Sequence, residues 1–196
     1  MVCKWLTLNY LKGSQSPKIM RSSEEKPVWF AMRATYRREL EAKKKLEAES
    51  IVTFIPMKIA PAKGNKKKRE LVPVIHNLIF VQAEPSHIQE VKKHIPFLQY
   101  MVDMRSREKI IVPEDQMKRF IAVAGTCHEQ LLYFLPEEVD LTKGTKVRIT
   151  GGEFEGQEGI FIKVKGARDR RVVVQVQGVV AVAMATVHPD LIEPIG

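Results

Sequence analysis

Two clusters of cationic side chains are the residues of this sequence whose type and spacing point most directly to a ligand. One is spread over a helix-like stretch and contains Arg37, Arg38, Lys44 and Lys45. The other flanks a Gly64-Asn65 turn signal and contains Lys63, Lys66, Lys67, Lys68 and Arg69. Clustered lysine and arginine attract phosphate groups in a salt-dependent way. Two alternatives stay open, a solvated helix face for the first cluster and a lysine-rich edge that blocks aggregation for the second.

The overall composition agrees with a polyanionic partner. The 196 residues carry a formal net charge of +9, and the sequence pI is about 9.6. Such a balance favours nucleic acid as a partner, or serves solubility alone. Cys3 and Cys127 are far apart and lack metal-ligand spacing, so the sequence predicts no disulfide framework and no zinc site, and it fits a reducing cytoplasm. Asn9, Lys12 and Gly13 interrupt the first apolar stretch, which predicts neither a signal peptide nor a membrane span.

The sequence lacks the residue combinations that catalysis requires. Its five histidines are scattered and none lies in a motif with a serine, cysteine or acid partner: His76, His87, His94, His128 and His188. The glycine-rich stretch 151–159 lacks the Gly-Lys-Ser/Thr ending that holds a nucleotide phosphate. The acidic pair at 137–138 falls in a segment that we interpret as a linker. We therefore expect no enzymatic activity, no metal and no cofactor.

A glycine-rich loop near the C-terminus predicts a hairpin that presents one aromatic ring. Alternating apolar residues flank a loop that contains four glycines. The apolar residues are Val147, Ile149, Ile160 and Ile162, and the glycines are Gly151, Gly152, Gly156 and Gly159. Glycine adopts positive φ without a steric penalty, so the backbone path of this loop is set by its glycines. Phe154 lies between them, where no strand pairing carries its ring inward. We expect Phe154 to be exposed and to contact a partner, against the alternative of a structural barrel that binds nothing.

The remaining C-terminal sequence alternates with a period of two. Val172, Val174 and Val176 precede a Gln177-Gly178 turn, and Val180, Val182 and Met184 follow it. Several short strands without a helical period are typical of a small β-barrel. The pattern predicts a barrel domain over residues 144–196 and a linker over 135–143.

The preceding region combines helix and strand patterns. Residues 1–26 predict a disordered leader, because they offer little apolar surface to bury. Strands are predicted at 28–32, 51–59, 71–83, 98–102 and 110–112. Within the third of these, residues 74–81 have the apolar character of an interior strand. The helices are predicted at 36–50 with Thr35 as N-cap, at 85–94 and from Pro113 to about 124. Residues 27–134 therefore predict an α+β domain with helices against a mainly antiparallel sheet.

These segments resemble two domains of one protein family. The glycine loop and its flanking strands are similar to the KOW element, a small SH3-like barrel of ribosomal proteins and of the NusG transcription factors. The order of elements is similar to the NusG N-terminal domain at four places: Val28-Trp29-Phe30-Ala31-Met32-Arg33, Phe54-Ile55-Pro56-Met57, Asn77-Leu78-Ile79-Phe80-Val81 and Ile111-Val112-Pro113. The stretch Arg33-Ala34-Thr35-Tyr36 and the lysine-rich segment resemble the specialised paralogues, RfaH and the UpxY-type antiterminators of polysaccharide loci.

The resemblance implies a transcription elongation or antitermination factor that binds bacterial RNA polymerase and suppresses pausing or termination. By position, the polymerase-binding residues would be Phe54, Pro56, Ile75 and Leu78, whose alternative is an ordinary core. The nucleic-acid-binding residues, toward non-template DNA or nascent RNA, would be Arg37, Arg38, Lys44, Lys45, Lys66, Lys67, Lys68 and Arg69. Phe154 would recruit a ribosomal protein of the small subunit. A cytoplasmic monomer without membrane contact is expected, and the alternative function is a ribosome-associated or general RNA-binding KOW protein.

Overall fold

The computed structural model describes residues 25–62, 64–184 and 187–195. They group into two compact units that alternate along the chain. The first unit combines the segment that ends at Pro56 with Ile75–Glu114, and the second combines Met57–Val74 with the chain from Asp115. Nearly all of the predicted leader lies outside the described residues. The predicted domain boundaries at 27–134, 135–143 and 144–196 stay a prediction.

In chain order, the described residues form strands and helices as follows: β1 Val28–Ala34, α1 Glu39–Ala48, β2 Val52–Phe54, β3 Met57–Ala62, β4 Asn65–Pro73, β5 Leu78–Ala83, α2 Pro85–Lys93, β6 Leu98–Tyr100, β7 Ile111–Val112, α3 Glu114–Ala124, β8 Leu132–Phe134, β9 Thr145–Ile149, β10 Glu158–Lys163, β11 Arg170–Val176, β12 Val180–Ala183 and β13 Ile192–Pro194. Short 3₁₀ turns occupy Thr35–Arg37, Pro136–Glu138, Leu141–Lys143 and Pro189–Leu191.

The first unit is built on a five-stranded antiparallel sheet. Its strands follow the order β2-β5-β1-β6, and β7 also pairs with β1. The central strand β1 buries Trp29, Phe30, Ala31 and Met32, as an interior strand covered on both faces requires. The Ile110 N–H donates to the Met101 oxygen at 2.9 Å beside a bridge between Val102 and Lys109, whereas β7 pairs with β1.

The second unit contains two antiparallel sheets. β3 and β4 form a two-stranded arm that turns at Gly64, where φ is 81°, in agreement with the Gly64-Asn65 turn signal. The other sheet, called the C-terminal sheet, has six strands in the order β13-β9-β10-β11-β12-β8. The strands of the C-terminal sheet are consistent with the predicted small all-β KOW domain. The predicted fold class, an α+β part with mainly antiparallel pairing and an all-β part, is therefore confirmed.

Several predicted elements have different bounds in the structure. The strand predicted at 51–59 is divided into β2 and β3, which belong to different sheets. The helix predicted at 36–50 with Thr35 as N-cap begins at Glu39, because Tyr36 and Arg37 have positive φ and Arg38 is the N-cap residue. The strand predicted over 74–81 begins at Leu78, because Asn77 has a φ of 67° and the preceding residues turn. An apolar run in the sequence does not by itself show whether the residues form a strand or a turn that packs against the core. The helices from Pro85 and from Glu114 lie where the periodicity places them.

Candidate nucleic-acid interface

The connection between β1 and α1 carries an exposed aromatic ring on a constrained backbone. Tyr36 has a φ of 61°, and the next residue, Arg37, has a φ of 56°. Bulky residues rarely adopt this left-handed conformation, which costs about 1–2 kcal/mol for each residue. The Tyr36 side chain is 86% exposed. An exposed ring beside cations is the arrangement on which proteins stack bases of single-stranded nucleic acids.

The segment before β5 supports this connection. The Arg37 backbone N–H donates to Oδ1 of Asn77 at 2.7 Å, and the Ala34 N–H donates to the Asn77 backbone oxygen at 2.8 Å. Nδ1 of His76 lies 3.8 Å from Oε1 of Glu39, a carboxylate that is 2% exposed at the first residue of α1. Asn77 tolerates its own left-handed backbone better than most residues do. The exposed position of Tyr36 therefore depends on a hydrogen bond between Arg37 and Asn77, which are 40 residues apart in sequence.

We predict that Asn77 determines the stability of this connection. The Asn77→Ala variant loses the acceptor for Arg37 and places at positive φ a residue that tolerates it less well than asparagine does, so the free energy of unfolding should fall by about 1–2 kcal/mol. The Asn77→Gly variant keeps the backbone freedom, and the Asn77→Asp variant keeps an acceptor. Both should lose less than the alanine variant in urea unfolding. Equal stability of the alanine variant and the wild type would show that the connection does not depend on Asn77.

A cluster of charged and aromatic side chains covers the start of α1. The Arg38 guanidinium donates two hydrogen bonds to the Glu41 carboxylate at 2.7 and 2.8 Å. Its central carbon lies 3.7 Å from the centre of the buried Phe97 ring, and Nζ of Lys45 lies 5.2 Å from the same ring. Nζ of Lys45 is also 3.4 Å from Glu41. Glu41 thus offsets the charge of two of the four cations predicted to bind nucleic acid.

The Glu41 carboxyl should titrate at unusually low pH. Hydrogen bonding to Arg38, with smaller contributions from its charge and from Lys45, lowers the pKa of Glu41 from 4.5 to about 2. Because the folded-state pKa is lowered, the stabilising contribution is complete above pH 4.5 and is lost as the pH falls toward 2. An NMR titration of the side-chain carboxyl should show this midpoint. In the Arg38→Gln variant it should return most of the way to 4.5, and in Lys45→Gln much less. Equal shifts in both variants would contradict the dominant role of Arg38.

The other two predicted cations on this surface are available to a ligand. Arg37 and Lys44 are exposed, and within the described residues neither side chain has an acidic partner. Arg37 adjoins Tyr36 on the left-handed connection, and Lys44 lies on α1. The structure therefore divides the predicted set into two engaged cations, Arg38 and Lys45, and two available ones.

The β3–β4 arm carries the second cation cluster along a strand rather than at the tip alone. Lys68 and Arg69 are exposed on β4, and Nη1 of Arg69 lies 2.6 Å from a Glu129 carboxylate oxygen. Lys66 and Lys67 belong to the same strand, but their side chains lie outside the described part of the structure, as does all of Lys63. Arg69 is thus neutralised by an acidic neighbour, while Lys68 is a more accessible cation.

The four residues predicted to bind polymerase differ in accessibility. Phe54 is the last residue of β2 and pairs with Phe80 of β5, and its side chain is half-buried. Ile75 is also half-buried, whereas Pro56 is buried. Leu78 is 4% exposed and pairs with Arg33 of the central strand. Phe54 and Ile75 therefore retain surface for a partner, and Leu78 belongs to the core.

The prediction that Phe154 is exposed is wrong. The ring is 5% exposed and meets His128 edge to face, with 6.3 Å between the ring centres. The loop folds back on itself, because the Gly156 N–H donates to the Ile149 oxygen at 2.8 Å and the Gln157 N–H to the Phe154 oxygen at 3.1 Å. These bonds turn the ring inward. The recruitment role assigned to Phe154 depended on exposure and loses its physical basis.

The chain matches one known family. The family described as transcription termination factor nusG matches residues 27–121. The matched region is 95 of the 196 residues and is similar to the NusG family. A solved structure described as domain interaction in Thermotoga maritima NusG is 20% identical and covers 87% of this chain and 98% of that chain, with a TM-score of 0.42. No curated protein matches the sequence.

The region matched by the NusG family contains every residue of the two cation clusters and all four predicted polymerase-binding residues, whereas Phe154 lies outside it. NusG proteins are transcription elongation and termination factors without enzymatic activity, and members of the family bind RNA polymerase. Among the described residues, no helix is long and apolar enough to cross a membrane. The same part of the chain contains no group of three or more His, Cys, Asp or Glu side chains placed to hold a metal ion.

Proposed function

We propose that this protein binds bacterial RNA polymerase through its NusG domain and acts as an elongation factor that suppresses pausing or termination. The match over residues 27–121 carries the proposal. The resemblance of Arg33-Ala34-Thr35-Tyr36 and of the lysine-rich arm to RfaH and UpxY-type proteins supports a specialised factor for a polysaccharide biosynthesis operon. In this proposal the protein is a cytoplasmic monomer, and the C-terminal sheet recruits a ribosomal protein of the small subunit through a surface other than the Phe154 ring.

The polymerase-binding surface in this proposal is centred on Phe54 and Ile75. Both are apolar and half-buried, and Phe54 lies at the end of β2, an edge strand of the first sheet. Aromatic residues that enter a partner's pocket supply much of the binding energy at interfaces. Leu78 and Pro56 are buried, so in this proposal they belong to the core behind the surface and do not contact the partner.

The nucleic-acid surface in this proposal is formed by Tyr36, Arg37 and Lys44, with Arg38 and Lys45 beside them. The exposed ring stacks on an unpaired base, and the available cations contact phosphates. Non-template DNA and nascent RNA both offer this chemistry. The arm residues Lys66, Lys67, Lys68 and Arg69 add phosphate contacts in a salt-dependent way.

A pull-down with purified core polymerase tests the proposal. The Phe54→Asp variant should weaken polymerase binding by at least about 2 kcal/mol, because it removes an aromatic anchor and adds a charge. The matched control is Ile111→Asp, which adds the same charge at a residue that is 53% exposed in the first unit. Both variants should unfold cooperatively near the wild-type temperature, and only Phe54→Asp should lose polymerase.

The alternative function, a ribosome-associated or general RNA-binding protein, gives a different result in the same experiment. Nuclease treatment removes any RNA that bridges the protein and polymerase. Retention that disappears after nuclease treatment would reject direct binding and favour the alternative. Equal loss in Phe54→Asp and Ile111→Asp would reject the assigned surface.

A further inference from the structure

A hairpin projects from one edge of the sheet in the first unit, between β6 and β7. Both strands pair with β1, and the chain leaves the sheet beside Ala31, because the Met101 N–H donates to the Ala31 oxygen at 3.0 Å and the Ala31 N–H donates to the Ile110 oxygen at 3.1 Å. We call residues 101–110 the edge hairpin. It lies at the edge opposite β2, the strand that ends at Phe54, so it is separate from the proposed polymerase surface.

The tip of the edge hairpin is held by its own hydrogen bonds. Oδ1 of Asp103 accepts from the backbone N–H groups of Arg105 and Ser106 at 2.8 and 2.9 Å. The Asp103 backbone oxygen accepts from the Arg107 N–H at 2.9 Å, and the Asp103 N–H donates to the Glu108 oxygen at 2.9 Å. Hydrogen bonds from the backbone N–H groups of Ser106 and Arg105 also lower the pKa of Asp103. Because the tip is fixed before a partner arrives, binding there loses little conformational entropy.

The edge hairpin exposes apolar side chains. Met104 at the tip is 79% exposed, and Val102 on the ascending side is 44% exposed. Apart from Tyr36, Met104 is the most exposed large apolar side chain in the part of the chain that the structure describes. Methionine is unbranched and polarisable, and it is frequent on surfaces that bind other proteins. Exposed apolar groups with a polar rim mark interaction sites on soluble proteins.

Cations surround these apolar side chains. Arg105, Arg107 and Lys109 are exposed, and among the described residues none of the three lies within ion-pair distance of a carboxylate. Nζ of Lys109 lies 4.2 Å from the centre of the Tyr100 ring, a contact that leaves its charge uncompensated. Of the two acids on the edge hairpin, Asp103 is held by the backbone of the tip. The edge hairpin therefore favours a partner with negative charge.

The kind of apolar residue distinguishes between two acidic partners. A strand of nucleic acid uses exposed aromatic faces for its bases as well as cations for its phosphates. The edge hairpin exposes methionine and valine instead. The adjoining Tyr100 ring is half-buried and meets Phe30 edge to face, with 5.4 Å between the ring centres. An acidic protein segment that also carries apolar side chains fits both the charge and the residue types of this surface.

We propose that the edge hairpin binds an acidic segment of another protein. An apolar side chain of that segment packs against Met104, and its carboxylates pair with Arg105 and Arg107. The interaction uses the sheet edge opposite Phe54 and does not require polymerase, so this proposal and the proposed function can fail independently.

Fluorescence anisotropy with two labelled peptides of equal charge tests the apolar contact. Each peptide has about 12 residues, one repeating Glu-Glu-Leu and the other Glu-Glu-Ser. The full chain should bind the leucine peptide roughly tenfold more tightly, because only this peptide buries apolar surface against Met104. The Met104→Ser variant should lose this preference, and the Met104→Leu variant should keep it. The matched control Leu40→Ser changes a residue that is 43% exposed elsewhere in the first unit, and it should keep the preference.

Two results of this experiment would overturn the proposal. The first is equal binding of the leucine and serine peptides by the wild-type chain. The second is an unchanged preference in Met104→Ser. Because Met104 is exposed, its variants should unfold cooperatively near the wild-type temperature, which makes either result a statement about binding and not about folding.

The salt dependence of peptide binding tests the charge contacts. Arg105→Gln with Arg107→Gln should weaken binding of both peptides roughly tenfold at low salt, and added salt should then have a smaller effect. The control Lys93→Gln with Lys146→Gln removes the same charge from two other exposed lysines. An equal loss in the control would reject a local site. Binding of a uridine oligonucleotide that needs the two arginines, together with peptide binding that does not, would reject an acidic protein in favour of nucleic acid.

Two substitutions of Asp103 separate the shape of the tip from its charge. Asp103→Ala and Asp103→Asn remove the same negative charge, but only asparagine keeps a side-chain acceptor for the N–H groups of Arg105 and Ser106. Charge alone would make both variants bind the leucine peptide equally well. We expect Asp103→Ala to bind several-fold more weakly than Asp103→Asn, because a tip without these bonds must be ordered during binding. Equal affinities would contradict a preformed docking surface.

Discussion

Replacing Leu78 with aspartate is expected to unfold the first unit, and polymerase binding should be lost together with the fold. Leu78 is 4% exposed on β5, next to the central strand. Removing a buried leucine side chain costs about 2–5 kcal/mol, and burying an unpaired carboxylate adds several more. This sum is comparable to the whole stability of a typical domain, about 5–15 kcal/mol. Circular dichroism should show no cooperative thermal transition for this part of the chain.

Two companion variants separate burial from binding at this position. Leu78→Met conserves volume and should cost less than about 1.5 kcal/mol, with polymerase binding retained. Phe54→Asp, at a half-buried position, should leave a cooperative transition while binding is lost. A folded Leu78→Asp protein that no longer binds polymerase would mean that Leu78 is a contact residue, as its position in the family resemblance suggests.

The second large effect is expected at Phe154. Truncating this buried ring to alanine should destabilise the second unit by about 3–5 kcal/mol, because it leaves a cavity and removes the contact with His128. For a domain of this size, each kcal/mol corresponds to roughly 4–8 °C in the melting temperature. Hydrogen exchange should report the loss in the amides of β9 and β10, which flank the loop.

The neighbouring residue provides the control for Phe154→Ala. Glu155 lies in the same loop and is exposed, so Glu155→Ala should leave the melting temperature nearly unchanged. If Phe154→Ala also left it unchanged and instead abolished recruitment of a ribosomal protein, the ring would have to be exposed in solution. That result would restore the interpretation made from the glycine pattern.

Local patterns were sufficient for much of the fold. The helices from Pro85 and Glu114 follow from apolar residues at helical spacing, and both bury the predicted stripes. The β3–β4 arm follows from Gly64 and from a proline that ends the preceding strand segment. Each of these signals lies within a few residues of the element that it specifies. The antiparallel α+β class follows from the order of these elements.

Tertiary contacts decided the features on which the site depends. Phe154 lies in a loop without periodicity, and its ring is buried against His128, which no pattern within the loop encodes. Tyr36 and Arg37 adopt left-handed backbone because Asn77, far along the chain, binds the Arg37 N–H. The apolar character of Leu78 is the same whether it packs in a core or binds a partner, and only the paired strands show that it is enclosed. Residue type alone determined the chemistry available to this protein, namely cations for phosphates and rings for bases. Which of these groups reach the surface was decided by contacts between residues distant in sequence, because the energy of burial depends on the neighbours that the fold supplies.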